Sequence, residues 1–254
     1  MVSDRASLGA TEDVFLSGAY LQEYYSSLGH ENAEVGEFLL EAAKALSPSG
    51  GLKVLDAGCG PTILYWSAFL PGENEVHGFD INPVNISENK RRMAEVQCGV
   101  ADEGLLEAAE HAIRCMGTRT SARFHLADRA RQVASLRVAD VTRTWPFENG
   151  QFDFVFSCFA LEQLPDWKSF DTALSESARV LRPGGCFALV NGSQGTHWLC
   201  DKQRFATLFV VPGDLRARLE RAGLRVQTMR EIDSNDTDWR EQGYNKVLLT
   251  SAAK

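Results

Sequence analysis

The segment Leu52-Lys53-Val54-Leu55-Asp56 runs directly into Ala57-Gly58-Cys59-Gly60-Pro61-Thr62, and from there into a helical stretch over Ile63 to Phe69. Strand, glycine-bearing turn and helix in that order open an α/β unit, and no other part of the chain constrains the fold as much. The alternation then repeats. A strand from Glu75 to Phe79 ends at Asp80, and a stretch rich in helix formers follows from Val84 to about Arg114. A shorter segment, Arg123 to Ser135, leads to strand Leu136–Ala139 and Asp140. Phe152 to Ser157 is mostly apolar, as expected of a strand covered by helices on both faces. A helix over Trp167 to Leu181 leads through Arg182-Pro183-Gly184-Gly185 to strand Cys186–Val190. The chain closes with helix Asp214–Ala222, strand Leu224–Glu231 and strand Lys246–Ser251. No helix separates the last two strands, so an antiparallel edge hairpin is expected on an otherwise parallel, open sheet.

Two helices precede the first strand, over Tyr20–Leu28 and Glu34–Leu46. In the second, Val35, Phe38, Leu39, Ala42, Ala43 and Leu46 fall on one face, and Ser47-Pro48-Ser49-Gly50-Gly51 stops it.

Charge and cysteine usage exclude several classes of function. The formal net charge is −8, where a nucleic-acid binder needs a basic face. No stretch approaches the ~18 apolar residues of a membrane span, and Met1 to Phe15 has no leader-like apolar run. The six cysteines are scattered without a C-x-x-C pair, which argues against a disulfide framework or a metal centre and for a cytoplasmic protein.

In open α/β sheets ligands sit outside the carboxyl ends of the strands. Three candidates fall there: the turn after Asp56, Asp80 and Asp140. Gly58 and Gly60 let the backbone approach a ligand, and the helix that follows offers unpaired N–H groups to an amino-acid carboxylate. Asp80 is placed to accept ribose hydroxyls, Asp140 to reach an adenine amine, and the Val141 amide to donate to the ring. A dinucleotide turn wants a third glycine where this chain has Ile63, and Pro61 withholds an amide from a phosphate. A single nucleoside carrying a carboxylate and a sulfonium suits the turn better than a pyrophosphate.

Four features carry a resemblance to a known family: Tyr20-Leu21-Gln22-Glu23-Tyr24-Tyr25, the G-x-G-P-T turn of Leu55 to Thr62, the 60-position gap from Asp80 to Asp140, and Leu181-Arg182-Pro183-Gly184-Gly185. With them the chain resembles the class I S-adenosylmethionine-dependent methyltransferases. Within these it resembles the small-amine N-methyltransferases acting on nicotinamide, phenylethanolamine, indolethylamine and thioethers. The resemblance implies one Rossmann-like domain over 1–254. It would have a seven-stranded, mainly parallel sheet with an antiparallel C-terminal hairpin, a helical N-terminal lid over 1–50 and a helical insertion over 84–135. It also implies that S-adenosylmethionine is consumed, S-adenosylhomocysteine is the product, and a small molecule, acting through nitrogen before oxygen or sulfur, is the acceptor. By the same resemblance Tyr20, Tyr25, Gly58, Gly60, Thr62, Tyr65, Asp80, Asn85, Asp140 and Val141 contact the cofactor, and Cys158 approaches the sulfonium. Read alone, the tyrosines are equally half-buried core aromatics and Thr62 a helix cap.

The acceptor region implied by the family is the loop Asn191 to Trp198, with Tyr20 and the segment Phe205 to Phe209 as an aromatic lid. The family commonly places a carboxylate where this chain has Asn191, and an amide cannot neutralise an ammonium. Gln194, His197 and Trp198 remain to shape the pocket. Candidates for catalysis are Tyr20, Asn191, and His197 or Glu162 as a base. The plainer readings are a structural hydrogen bonder for His197 and a solvated helix-start carboxylate for Glu162. Asp233 to Trp239 reads as an acidic surface loop. Two alternatives to methyl transfer stay open: an enzyme using the bound cofactor structurally for an intramolecular displacement, elimination or cyclisation, and a subunit supporting a catalytic partner.

Overall fold

A computed structural model describes residues 17–235 and 243–254. The start of the chain and most of the acidic loop (positions 236 to 239) therefore lie outside the described residues. The elements run α1 (Ser17–Tyr24), α2 (His30–Leu46), β1 (Gly50–Ala57), α3 (Ile63–Ser67), β2 (Glu73–Asp80), α4 (Pro83–Gln97), α5 (Glu103–Met116) and α6 (Ala122–Gln132). They continue with β3 (Val133–Val138), β4 (Phe152–Cys158), a 3₁₀ turn (Leu161–Gln163), α7 (Trp167–Val180) and β5 (Leu181–Ser193). The last are β6 (His197–Cys200), β7 (Gln203–Ala206), α8 (Pro212–Arg221), β8 (Arg225–Asp233) and β9 (Lys246–Ala253).

Seven strands form one sheet in the order β3-β2-β1-β4-β5-β9-β8. β1 pairs in parallel with both β2 and β4, so the strand order reverses beside β1 and opens a crevice there. β9 lies antiparallel between β5 and β8, with Val190 opposite Leu249 and Arg230 opposite the same residue from the other side. The expected C-terminal hairpin is therefore present, with its second strand inserted inside the edge.

Alternation along the central strands sorts the core into two layers. Val54, Phe154 and Phe156 pack with Val35, Phe38 and Leu39 of α2, while Leu55 and Val155 pack with Phe170 and Leu174 of α7 and Leu215 of α8. Phe154, Phe156 and Phe170 are wholly buried, each worth ~1.5–3 kcal/mol relative to exposure. With both faces covered, the strand-end crevice is where such a sheet takes up a ligand.

The long helical stretch expected over 84–114 is two helices. α4 ends at Cys98 and Gly99, whose φ of +81° cannot continue a helix, and the Asp102 side chain restarts the chain by accepting from the Leu105 amide at 2.9 Å. The segment expected as a loop after the fifth strand is also ordered differently. β5 runs on to Ser193, paired with β9 throughout, and a small hairpin of β6 and β7 follows. Among the described residues no helix is long and apolar enough to cross a membrane.

Candidate functional site

The turn after β1 is built by the neighbouring strand. The Phe79 carbonyl accepts from both the Gly58 amide (3.0 Å) and the Cys59 amide (2.9 Å), and the Gly60 amide donates to Asp80 Oδ2 at 2.9 Å. These three amides are thus bonded inside the protein, and at the start of the helix that follows, the Ile63 amide donates to Asn89 Oδ1 at 3.3 Å. The glycines serve close approach. Gly58 has φ +72°, and a Cβ there would lie 2.8 Å from the Ala160 Cβ. Thr62 does not cap its helix; its hydroxyl donates to the Cys59 carbonyl at 3.1 Å.

Asp80 is held by three donors: the Asn82 amide (2.8 Å) and Asn85 Nδ2 (3.1 Å) on one oxygen, Gly60 on the other. Burial outweighs them and raises its pKa from the ordinary aspartate value. Asn85 in turn accepts from the Ser17 hydroxyl at 2.7 Å, pinning α1 over the crevice. Asp56, at the end of β1, is 1% exposed, and its Oδ2 has no hydrogen-bond partner among the described residues. Burial, then the charge of Asp80, pushes its pKa well up. Such an orphaned buried acceptor is one a ligand donor would satisfy.

The crevice holds a cavity of about 170 Å³. Gly58, Gly60 and Thr62 line one side, Asp80 and Asn85 another, and Asp140, Val141, Cys158 and Tyr20 close it. Nine of the eleven sequence-derived cofactor residues are brought together here. Tyr25 lines the adjoining cavity instead, and Tyr65 lines neither; it is 1% exposed and packs edge-on against Tyr25, with ring centroids 4.8 Å apart.

The adjoining cavity is smaller, about 40 Å³, and largely aromatic, with Tyr20, Tyr24, Tyr25, Phe159, Trp198 and Tyr244 around it. Tyr20, Phe159, Gln163 and Trp198 line both spaces, so the two share a wall. Tyr244 fits because Gly192 and Gly195 have no side chains; a Cβ on either would approach its ring or its own Cβ to 3.3 or 3.2 Å.

Glu162 projects into this second cavity. After β4 the chain turns through Phe159 in a left-handed conformation (φ 55°), which swings the 3₁₀ turn inward and buries Leu161 and Glu162. One Glu162 oxygen accepts from Asn191 Nδ2 at 2.7 Å and the other from the Gly192 amide at 3.2 Å. Desolvation dominates these bonds, and its pKa is pushed up to about 7. The solvated helix-start reading of Glu162 is corrected by its 4% exposure. Asn191 lies behind Glu162 and outside the lining of either cavity.

His197 also lines neither cavity. It is buried in β6, with Nδ1 2.9 Å from both the Thr196 hydroxyl and an Arg204 guanidinium nitrogen, and its ring packs against Gly243. Geometry therefore removes it as a base and leaves the structural reading. Of the expected lid, Phe205 stacks on Trp198 at 4.4 Å, whereas Phe209 is half exposed. Gln194 is exposed and lines neither cavity, and its backbone N–H donates to the Val210 carbonyl. Among the residues lining the two cavities, sequence reasoning missed Glu31, Phe159, Gln163, Thr207 and Tyr244; it also passed over Asp56, which lines neither but whose place at a strand end was a signal.

Comparison with known proteins agrees with this geometry. A family model described as the NNMT/PNMT/TEMT family matches residues 6–254. Nicotinamide N-methyltransferase of Sus scrofa is 24% identical over 85% of this chain and 84% of its own length. Among solved structures, the [4+2]-cyclase SpnF superposes with a TM-score of 0.57 at 14% identity, covering 87% of this chain and 81% of that one. A Burkholderia thailandensis 1,6-didemethyltoxoflavin-N1-methyltransferase, solved with S-adenosylhomocysteine bound, gives 0.52 at 18% identity, covering 88% and 78%. At these identities the two structures speak for the fold alone.

Proposed function

The chain belongs to the NNMT/PNMT/TEMT family and is an S-adenosylmethionine-dependent methyltransferase of small molecules; from that premise we propose that its acceptor is a small amine with an apolar, ring-sized body, held at nitrogen by Glu162. The single observation that carries this reading is a buried carboxylate in the cavity that shares a wall with the cofactor cavity. The carboxylate absent from position 191 is supplied by Glu162, and Asn191 holds it in place.

The cofactor cavity suits its ligand chemically. Asp80 would take the ribose hydroxyls and Asp140 and Val141 would flank the base; at the end of β1, the Asp56 oxygen without a partner among the described residues would be satisfied by a donor such as an ammonium. The hydroxyls of Tyr20 and Tyr25, which lie 3.3 Å apart, would hold the ligand's amino-acid carboxylate. Burial raises both phenols well above their usual range, so they stay protonated and donate.

When bound, the cofactor supplies an electrophilic methyl group on a sulfonium. This chain orients the acceptor and manages one proton. The aromatic walls exclude water and confine the amine body, so most of the rate comes from alignment. Glu162, poised near pH 7, takes the proton that an arriving ammonium must lose before its nitrogen can attack. A reducing, cytoplasmic setting suits six cysteines that are all free.

The test begins with calorimetry using S-adenosylmethionine and S-adenosylhomocysteine, then a panel of aromatic and heteroaromatic amines read by mass spectrometry. The expected result is a product one methylene heavier, methylated at nitrogen, and lost in Glu162→Gln with cofactor affinity kept. Methylation at oxygen or carbon would overturn the proposal, as would turnover indifferent to Glu162→Gln. Turnover that persists with the demethylated cofactor would point to the structural-cofactor alternative.

A further inference from the structure

Among residues that line neither cavity, α2 and α5 bring three metal-binding side chains together. Glu37 Oε1 lies 2.7 Å from His111 Nε2 and 3.8 Å from Cys115 Sγ, and the three ligand atoms all fall within 4.8 Å of one another. His111 and Cys115 are four residues apart on α5, which sets them on one helical face. We propose that Glu37, His111 and Cys115 form a binding site for a borderline-soft divalent cation, zinc(II) in chemical class, that staples α2 to α5.

The donor set decides the metal. Thiolate and imidazole favour zinc over magnesium or calcium, which want oxygen alone. Three protein ligands leave a tetrahedral ion one position for water, and the partial exposure of Glu37 (44% of its side chain) and His111 (22%) gives that water access. The required movement is small. Ligand atoms around a tetrahedral zinc sit ~3.3–3.7 Å apart, so the carboxylate and imidazole separate slightly and the thiol closes in. Two changes accompany loading. Cys115 gives up its proton, and the His111 hydrogen moves to Nδ1, releasing the exposed Arg114 now 3.4 Å away. The absence of C-x-x-C pairs hid this arrangement in the sequence, because the third ligand comes from a helix 74 positions away from His111.

The staple joins the two helices that hold the segment after α1. Asn32 of α2 donates to the Tyr24 carbonyl at 2.8 Å, and Glu107 of α5 accepts from the Leu28 amide at 2.7 Å. Loading therefore stabilises the region that closes the site, independently of which acceptor is methylated.

The full chain, stripped with chelator and kept reduced, is titrated with zinc(II) by calorimetry and with cobalt(II) by absorption spectroscopy. The expected results are one equivalent bound, a thiolate-to-cobalt charge-transfer band, and a Tm raised by zinc. Cys115→Ser abolishes the band, and His111→Gln weakens zinc at least about tenfold. Cys98→Ser, at an exposed thiol elsewhere, keeps both. No stoichiometric zinc uptake by the wild type overturns the proposal, as does a cobalt band that survives Cys115→Ser.

Discussion

The Asn191 amide donates from Nδ2 to Glu162 Oε2 across 2.7 Å, with neither residue more than 4% exposed. This bond lowers the Glu162 pKa against the upward push of burial. Replacing Asn191 by Leu keeps the volume and removes the donor. A hydrogen bond to a charged group is worth ~1.5–3 kcal/mol, so the Glu162 pKa should climb by about one to two units from its value near 7. The acidic limb of the kcat/KM profile should move up in pH by the same amount. A profile that stays in place would show that Asn191 does not tune the carboxylate.

Glu162 also sets a pH dependence of stability. Its folded pKa, about 7, lies above the ordinary glutamate value of 4.5. Between these values the folded chain holds a proton the unfolded chain has released, so stability falls as pH rises through that window. Below it, both states are protonated and nothing is lost. Glu162→Gln removes the effect. Its stability advantage over the wild type should therefore be small at pH 4.5 and grow towards pH 8, to something on the order of 2–3 kcal/mol, read by denaturant unfolding. An advantage that does not change with pH would mean that Glu162 does not titrate in this range.

The mainly parallel sheet and the crevice were legible because the mostly apolar run Phe152–Ser157 and the glycines at 58 and 60 are local signals. The inward turn of Glu162 was not. It depends on Phe159 adopting a positive φ, which no residue type at that position announces. Tyr244 was hidden for another reason: it reaches the cavity from the start of β9 through space left by Gly192 and Gly195, more than forty positions away in the chain. The use of the Gly58 and Cys59 amides was equally invisible, since their acceptor, the Phe79 carbonyl, belongs to a neighbouring strand. The sequence named about half of the residues that line the larger cavity and gave no sign of how the turn's own amides are bonded.

Gly58→Ala tests that turn directly. An alanine at φ +72° costs ~1–2 kcal/mol, and its Cβ would meet Ala160 Cβ at 2.8 Å. The chain should fold with a lowered Tm, and S-adenosylhomocysteine should bind at least about tenfold more weakly, a loss of ~1.4 kcal/mol. Adding Ala160→Gly relieves the contact but not the dihedral strain, so calorimetry should show partial recovery. Full recovery would assign the whole defect to the clash, and unchanged binding would remove the turn from the cofactor site.

The hairpin of β6 and β7 makes its turn with Asp201 (φ 48°) and Lys202 (φ 62°), both left-handed and neither glycine. Two-residue hairpin turns of this kind favour Asn-Gly, which explains why the hairpin escaped the sequence reading and why it is strained. The Asp201 amide donates to Glu23 of α1 at 3.1 Å, and the Tyr24 hydroxyl donates to the Leu199 carbonyl, so the strained turn is tied to the helix over the site. Lys202 is exposed, so Lys202→Gly removes little packing and relieves the less tolerant of the two residues. Denaturant unfolding should show a gain of ~0.5–1 kcal/mol, smaller than the full relief because glycine also frees the unfolded chain. Glu23→Gln weakens the tie without touching the turn, so the gain from Lys202→Gly should persist in that background. If the gain vanishes there, the strain resides in the tie to α1 and not in the turn's own dihedrals.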